Sequence, residues 1–275
     1  MGGWAQIASY DASVDIKGVF KSAIQIDQLA GLVSWHQSDA GLDIVSEHLQ
    51  INTPHVKTVS RIKLNLPLDN SPSSIDLQTT LGKAEAQYTP QYLPLGIMDH
   101  SVVAWLKGAF KKGYLEQGGI LMRGSLSGFP YRDNSGVFQF LGSAKDIDLH
   151  YAEGWPDVEQ ADAEVEVRNQ GLQIRSEKGS IAGNNVSIAV VEMKDRSEDD
   201  YLSITGHLDD EASGLYAFFK QSPLKQSLND LMQYTQIQGP VGVDLDIKIP
   251  LHSGLSPKIK ARALLNNNTL LLPSI

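Results

Sequence analysis

The stretch Val241-Gly-Val-Asp-Leu-Asp-Ile-Lys-Ile249 decides the fold. Val241, Val243, Leu245, Ile247 and Ile249 are apolar, and Gly242, Asp244, Asp246 and Lys248 alternate with them. Side chains point to opposite faces along a strand, so this pattern is a strand with one dry face and one wet face. The same alternation occurs at Ile62, Leu64 and Leu66, at Ala161, Ala163, Val165 and Val167, at Ile147, Leu149 and Tyr151, and at Val186, Ile188 and Val190. Turn-forming residues separate the runs: Asn169-Gln170-Gly171 and Gly183-Asn184-Asn185 each read as a hairpin connection. Short turns between such strands build an antiparallel meander, and the chain is predicted to be mainly β.

Two segments follow a helical period instead. Val102, Val103, Leu106, Ala109 and Phe110 fall on one face of a helix predicted over residues 99–112, with Asp99 as N-cap and Gly113 as the stop. A second helical region is predicted over residues 213–234. Its apolar positions are Leu215, Ala217, Phe218 and Phe219, then Leu224, Leu228, Leu231 and Met232. Pro223 divides it, and Ser222-Pro223 reads as an N-cap followed by proline at the first helical position.

The two halves of the chain echo each other. Gly41-Leu-Asp-Ile-Val-Ser-Glu47 parallels Gly171-Leu-Gln-Ile-Arg-Ser-Glu177, and Gln117-Gly-Gly-Ile120 parallels Gln238-Gly-Pro-Val241. The organisation expected is two β repeats, 1–130 with the helix 99–112 and 131–275 with the helices 213–234. Such units build an elongated array, or close into a barrel or sandwich.

Composition excludes several functions. A formal net charge of -9 with no dense basic cluster argues against nucleic acid. Lys111-Lys112 and Lys258 to Arg262 come nearest, and they read as a helix end and the wet face of a strand. The absence of cysteine removes disulfides and thiolate chemistry. The seven histidines show no metal-ligand spacing, so no metal and no cofactor is implied. Gly124-Ser-Leu-Ser-Gly128 fails as a nucleophile elbow because its central residue is Leu126. The carboxylate pairs Asp146/Asp148 and Asp244/Asp246 alternate with apolar residues and read as wet-face charges rather than as a glycosidase pair. Glu198-Asp199-Asp200 and Asp209-Asp210-Glu211 lack the spacing of a calcium loop. The chain is not expected to be an enzyme. No apolar run approaches the roughly 20 residues of a membrane-spanning helix. Met1-Gly-Gly-Trp4 lacks the features of a secretion signal, so an extracytoplasmic role implies a longer parent chain.

Several motifs, in order, resemble the YhdP family of AsmA-like proteins. They are Tyr92-Leu-Pro-Leu-Gly-Ile-Met-Asp99 leading to Val103-Ala-Trp-Leu106, Gly118-Gly-Ile-Leu-Met-Arg-Gly124, Gly128-Phe-Pro-Tyr131, Asp148-Leu-His-Tyr151 with Gly154-Trp-Pro156, and Gln221-Ser-Pro-Leu224. The match runs from about residue 20 to 275, in the central region of such proteins. The resemblance implies a periplasmic protein whose parent is anchored in the inner membrane, and a curved antiparallel sheet forming a U-shaped groove. It also implies binding and conduction of phospholipid between inner and outer membrane, with acyl chains and possible envelope proteins as partners. The expected groove residues are Ile62, Leu64, Leu66, Ile147, Leu149, Val165, Val167, Ile174, Ile188, Val190, Val243, Leu245 and Ile247. The alternative is a structural or protein-binding β-repeat scaffold whose apolar faces form a closed core.

Overall fold

A computed structural model describes residues 1–98, 100–194, 201–225, 236–251 and 256–271. The strands in chain order are β1 (Gly2–Val14), β2 (Ile24–Ser38), β3 (Gly41–Asn52), β4 (Lys57–Pro67), β5 (Ser74–Leu81), β6 (Ala84–Glu85), β7 (Phe110–Ser125) and β8 (Val137–Leu149). They continue as β9 (Val158–Arg168), β10 (Gly171–Ile181), β11 (Asn184–Met193), β12 (Tyr201–Glu211), β13 (Gln236–Gln238), β14 (Pro240–Pro250), β15 (Lys258–Leu265) and β16 (Thr269–Leu271). The helices are α1 (Thr89–Tyr92), α2 (His100–Ala109) and α3 (Ala212–Gln221).

Fourteen strands form one antiparallel sheet in the order β1-β2-β3-β4-β5-β7-β8-β9-β10-β11-β12-β14-β15, with the short β6 paired to β7. β1 and β15 are its two edges and do not pair with each other, so the sheet is open rather than a barrel. β13 and β16 form a separate two-stranded ribbon. At about 4.8 Å per strand, the main path is about 58 Å wide.

Along the main path, strands pair in sequence order except at β5–β7 and β12–β14, where helices and the short strands β6 and β13 intervene. Those interruptions lie at the same rim of the sheet. α1 and α2 connect β6 to β7, and α3 follows β12. We call this the helix rim. The opposite rim carries the connections 39–40, 68–73 and 169–170, and we call it the turn rim.

The buried apolar clusters lie at the helix rim. α3 places Ala212 and Leu215 against Val186, Leu208, Val241 and Val243. α2 places Val103 and Leu106 against Leu95, with Phe110 alongside. Ala86 packs on Ile147 and Ala161. At the turn rim the connection 126–136 folds back so that Tyr131 is fully buried. Gly124, Gly128 and Gly136 all border its ring, and a Cβ at Gly136 would lie 2.5 Å from it.

Both predicted helices exist with different ends. α2 stops at Ala109, and Phe110, Lys111 and Lys112 belong to β7. Gly113 is therefore not a helix stop. It has φ +104° inside the strand, and a Cβ there would lie 2.6 Å from the Asp146 carbonyl oxygen. Only glycine tolerates both conditions. Asp99, the expected N-cap, lies outside the described residues. So do Leu228, Leu231 and Met232 of the second helical region. Its first part, α3, ends at Gln221, and the Ser222 hydroxyl accepts the Leu224 N–H at 3.3 Å, as an N-cap would.

Candidate functional site

The strand register brings one apolar row across most of the sheet. Direct cross-strand partners run Leu29, Ile51, Thr58, Leu81, Gly118, Gly142, Val165, Ile174, Val191, Ile204, Ile247 and Ile259, from β2 to β15. Partners across a ladder share a face. The same face carries Trp35, Ile44, Leu64 and Ile75 in a second row. Ile120, Phe140, Val167 and Leu172 form part of a third.

Several hydroxyls on this face are occupied internally. Thr58 donates to the Ile51 carbonyl at 3.1 Å, and Ser46 donates to the Leu32 carbonyl at 2.8 Å. The Ser60 and Thr79 hydroxyls bond each other at 2.9 Å, and Ser176 donates to the Asp162 carbonyl at 2.7 Å. A satisfied hydroxyl no longer competes for water, so the face stays apolar in character. Ser46 and Ser176 are equivalent positions in the Gly-Leu-x-Ile-x-Ser-Glu stretches, and a register shift follows each of them.

This face is incompletely covered. The chain exposes 16927 Å² of surface, where a compact monomer of its mass would expose about 11,700 Å². Val165, Val167, Ile174, Val191 and Ile204 remain half-buried. Among the described residues the buried apolar clusters gather at the helix rim, and away from it these apolar residues have strand neighbours at their sides.

The opposite face is polar and paired. Arg61 and Arg123 both reach Asp76, at 3.7 and 2.9 Å. Lys145 and Lys178 both reach Asp162, at 3.4 and 3.6 Å. His207 sits between Asp244, 2.6 Å from Nδ1, and Asp209, 3.0 Å from Nε2. These carboxylates, Asp244 foremost, raise the His207 pKa above its ordinary value. Among the described residues, no group of three or more His, Asp and Glu side chains is placed to hold a metal ion.

The family described as YhdP protein matches residues 1–275. The chain belongs to the YhdP family. The Escherichia coli (strain K12) protein named intermembrane phospholipid transporter YhdP is 23% identical over 261 residues, covering 95% of this chain. The chain spans 20% of the length of that YhdP protein. No solved structure matches the chain significantly.

Within this YhdP-family sheet, Ile62, Leu64, Leu66, Ile147, Leu149, Val165, Val167, Ile174, Val243, Leu245 and Ile247 share the apolar face. Val243 lies beneath α3, and Ile147 and Leu149 lie within the cluster around Ala86. Ile188 and Val190 do not join this face. Val186 is opposite Leu208, but Ile188 is opposite His207, so β11 holds one extra residue there. This bulge turns Ile188 and Val190 to the polar face with His207 and Thr205, and Ile188 is 46% exposed. Composition carries no mark of it, because Val-Ser-Ile-Ala-Val alternates whether or not a residue is inserted in the ladder.

The YhdP motif residues around Tyr151 join the two helix-rim covers. The Trp105 indole of α2 donates to the Tyr151 carbonyl at 3.0 Å. Tyr151 meets Trp155, and Trp155 meets Phe218 of α3, both at 6.2 Å between ring centres. Burial, with the Asp157 carboxylate nearby, pushes the Tyr151 phenol well above its ordinary pKa. Asp157 is held low by Lys111 and by His150, whose Nδ1 lies 2.7 Å away. No helix among the described residues is long and apolar enough to cross a membrane.

Proposed function

We propose that the apolar face binds phospholipid acyl chains and forms one stretch of a path along which phospholipid moves between inner and outer membrane. The single observation that carries this reading is the row from Leu29 to Ile259 on an open sheet, apolar but for Thr58 and two glycines. An exposed apolar surface of that extent is costly in water. Acyl chains relieve the cost at about 0.8 kcal/mol for each methylene buried. Contacts with aliphatic side chains have no preferred direction, so a lipid shifted by one strand makes nearly the same contacts. A shallow profile of that kind favours sliding over capture.

The lipid-lining residues in this reading are Ile62, Leu64, Leu66, Val165, Val167, Ile174 and Ile247, with Ile147, Leu149, Val243 and Leu245 supporting the covered rim. Residues 1–130 and 131–275 act as two consecutive units of one path. The setting is the periplasm, with a longer parent chain supplying the inner-membrane attachment and meeting other envelope proteins. The naming of the E. coli relative as a phospholipid transporter supports a transport role rather than a catalytic one.

Native mass spectrometry of the chain purified from bacterial envelopes tests the reading. Co-purifying phospholipid is expected, and an Ile174→Glu substitution should remove it. A folded chain that carries no phospholipid, and takes none from vesicles, would instead favour a β-scaffold that docks protein.

A further inference from the structure

Among the described residues, the salt bridges on the polar face leave a cluster of lysines unmatched. Near the turn rim, Lys194, Lys248, Lys258 and Lys260 border a depression of about 400 Å³ together with Glu192 and Asp246. The register assembles it. Lys248 and Lys258 are direct partners across β14 and β15, Ser203 is the partner of Lys248 on its other side, and Glu192 is the partner of Ser203. Elsewhere on this face Arg61, Arg123, Lys145 and Lys178 reach carboxylates. Among the described residues, none of these four lysines forms an ion pair. Lys258 alone has a ring neighbour, its Nζ 5.8 Å from the centre of the Tyr201 ring.

Like charges directly opposite each other weaken a sheet. The chain as a whole is acidic, at -9, so four lysines against two carboxylates around one depression do not follow from composition. Lysine offers a compact charge with three rotatable donors, which suits a tetrahedral oxyanion better than a planar one. Ser203 and Tyr201 add neutral hydroxyls to the same depression.

We propose that this depression binds a phosphate group, carried either by a soluble phosphate ester or by a lipid headgroup at a membrane surface. The site lies on the opposite face from the apolar row. Its occupancy is therefore independent of acyl-chain binding, and either reading can fail alone.

The test uses the full chain and two kinds of probe. Phosphorus NMR follows orthophosphate and glycerol 3-phosphate. Flotation follows vesicles of equal parts phosphatidylglycerol and phosphatidylcholine, against vesicles of phosphatidylcholine alone. Lys248→Gln/Lys258→Gln should weaken binding of the active probe about tenfold, whereas Lys63→Gln/Lys112→Gln, with the same loss of charge, should change it less than about twofold. Binding of the small anions without vesicles assigns a soluble ester, and binding of the phosphatidylglycerol vesicles assigns a headgroup. Three results overturn the proposal: no binding of any probe, equal losses in both double variants, or binding that appears only after Glu198, Asp199 and Asp200 are neutralised. The last would mean that the chain's own carboxylates occupy the lysines.

Discussion

Truncating an apolar side chain should cost very different amounts on the open and the covered parts of the same face. Leu215 is 4% exposed and packs in the cluster of Val186, Leu208, Ala212, Val241 and Val243. Leu215→Ala removes three buried carbons, about 2.4 kcal/mol of transfer free energy at about 0.8 kcal/mol each. The unfilled cavity raises the loss to about 3 kcal/mol. Ile174→Ala also removes three carbons. Ile174 is half-buried between Val165 and Val191, so about half of the transfer term, roughly 1.2 kcal/mol, is at stake. No sealed cavity follows, because solvent or lipid fills the space. Urea unfolding of the delipidated variants, followed by circular dichroism, measures both losses. An Ile174→Ala loss as large as that of Leu215→Ala would rule out an open face, since equal losses require a closed core over β9, β10 and β11.

Three further outcomes follow from particular contacts. Val186→Asp should destabilise by more than about 3 kcal/mol, because it places a carboxylate beneath α3, while Ile188→Asp should change stability by less than about 0.5 kcal/mol on the polar face; thermal melts of the two variants check the bulge. Gly113→Ala should cost about 2 kcal/mol or more by the same measurement, because φ is +104° and the Asp146 carbonyl lies in the way. The raised pKa of His207 means that protonation stabilises the fold: this contribution is complete below the ordinary value of 6.5 and is lost as pH rises through the higher folded-state value. The melting temperature should therefore fall as pH rises above 6.5, and His207→Gln should flatten that part of the profile.

Much of the fold was legible because alternation is a local signal. Val241 to Ile249, Ile62 to Leu66 and Val165 to Val167 each declare their dry face within a single strand, and the register then joins those faces. Long-range pairing was not legible. Phe110 continues the helical spacing of Val103 and Leu106, yet its partner is Leu149 in β8, and that pairing ends the helix early. The bulge in β11 is set by its neighbour β12, so Ile188 and Val190 could be assigned by parity alone, and wrongly. The lysine depression draws on β11, β12, β14 and β15. From Lys258 to Arg262 the sequence showed only a wet strand face, because Lys194 and Lys248 arrive from elsewhere in the chain. The extent to which the dry face stays uncovered was also beyond local pattern, since identical strands serve an open sheet and a closed sandwich equally well.

Lipid on the apolar face should touch one side of each strand and not the other. Gln173 and Ile174 are neighbours in β10 whose side chains point to opposite faces. A photocrosslinking amino acid placed at each position in turn, in bacteria, followed by mass spectrometry of the purified chain, separates the faces within one residue. Phospholipid adducts at position 174 and none at 173 are the predicted result. Adducts at both positions alike, or at neither while the chain remains folded, would contradict the account.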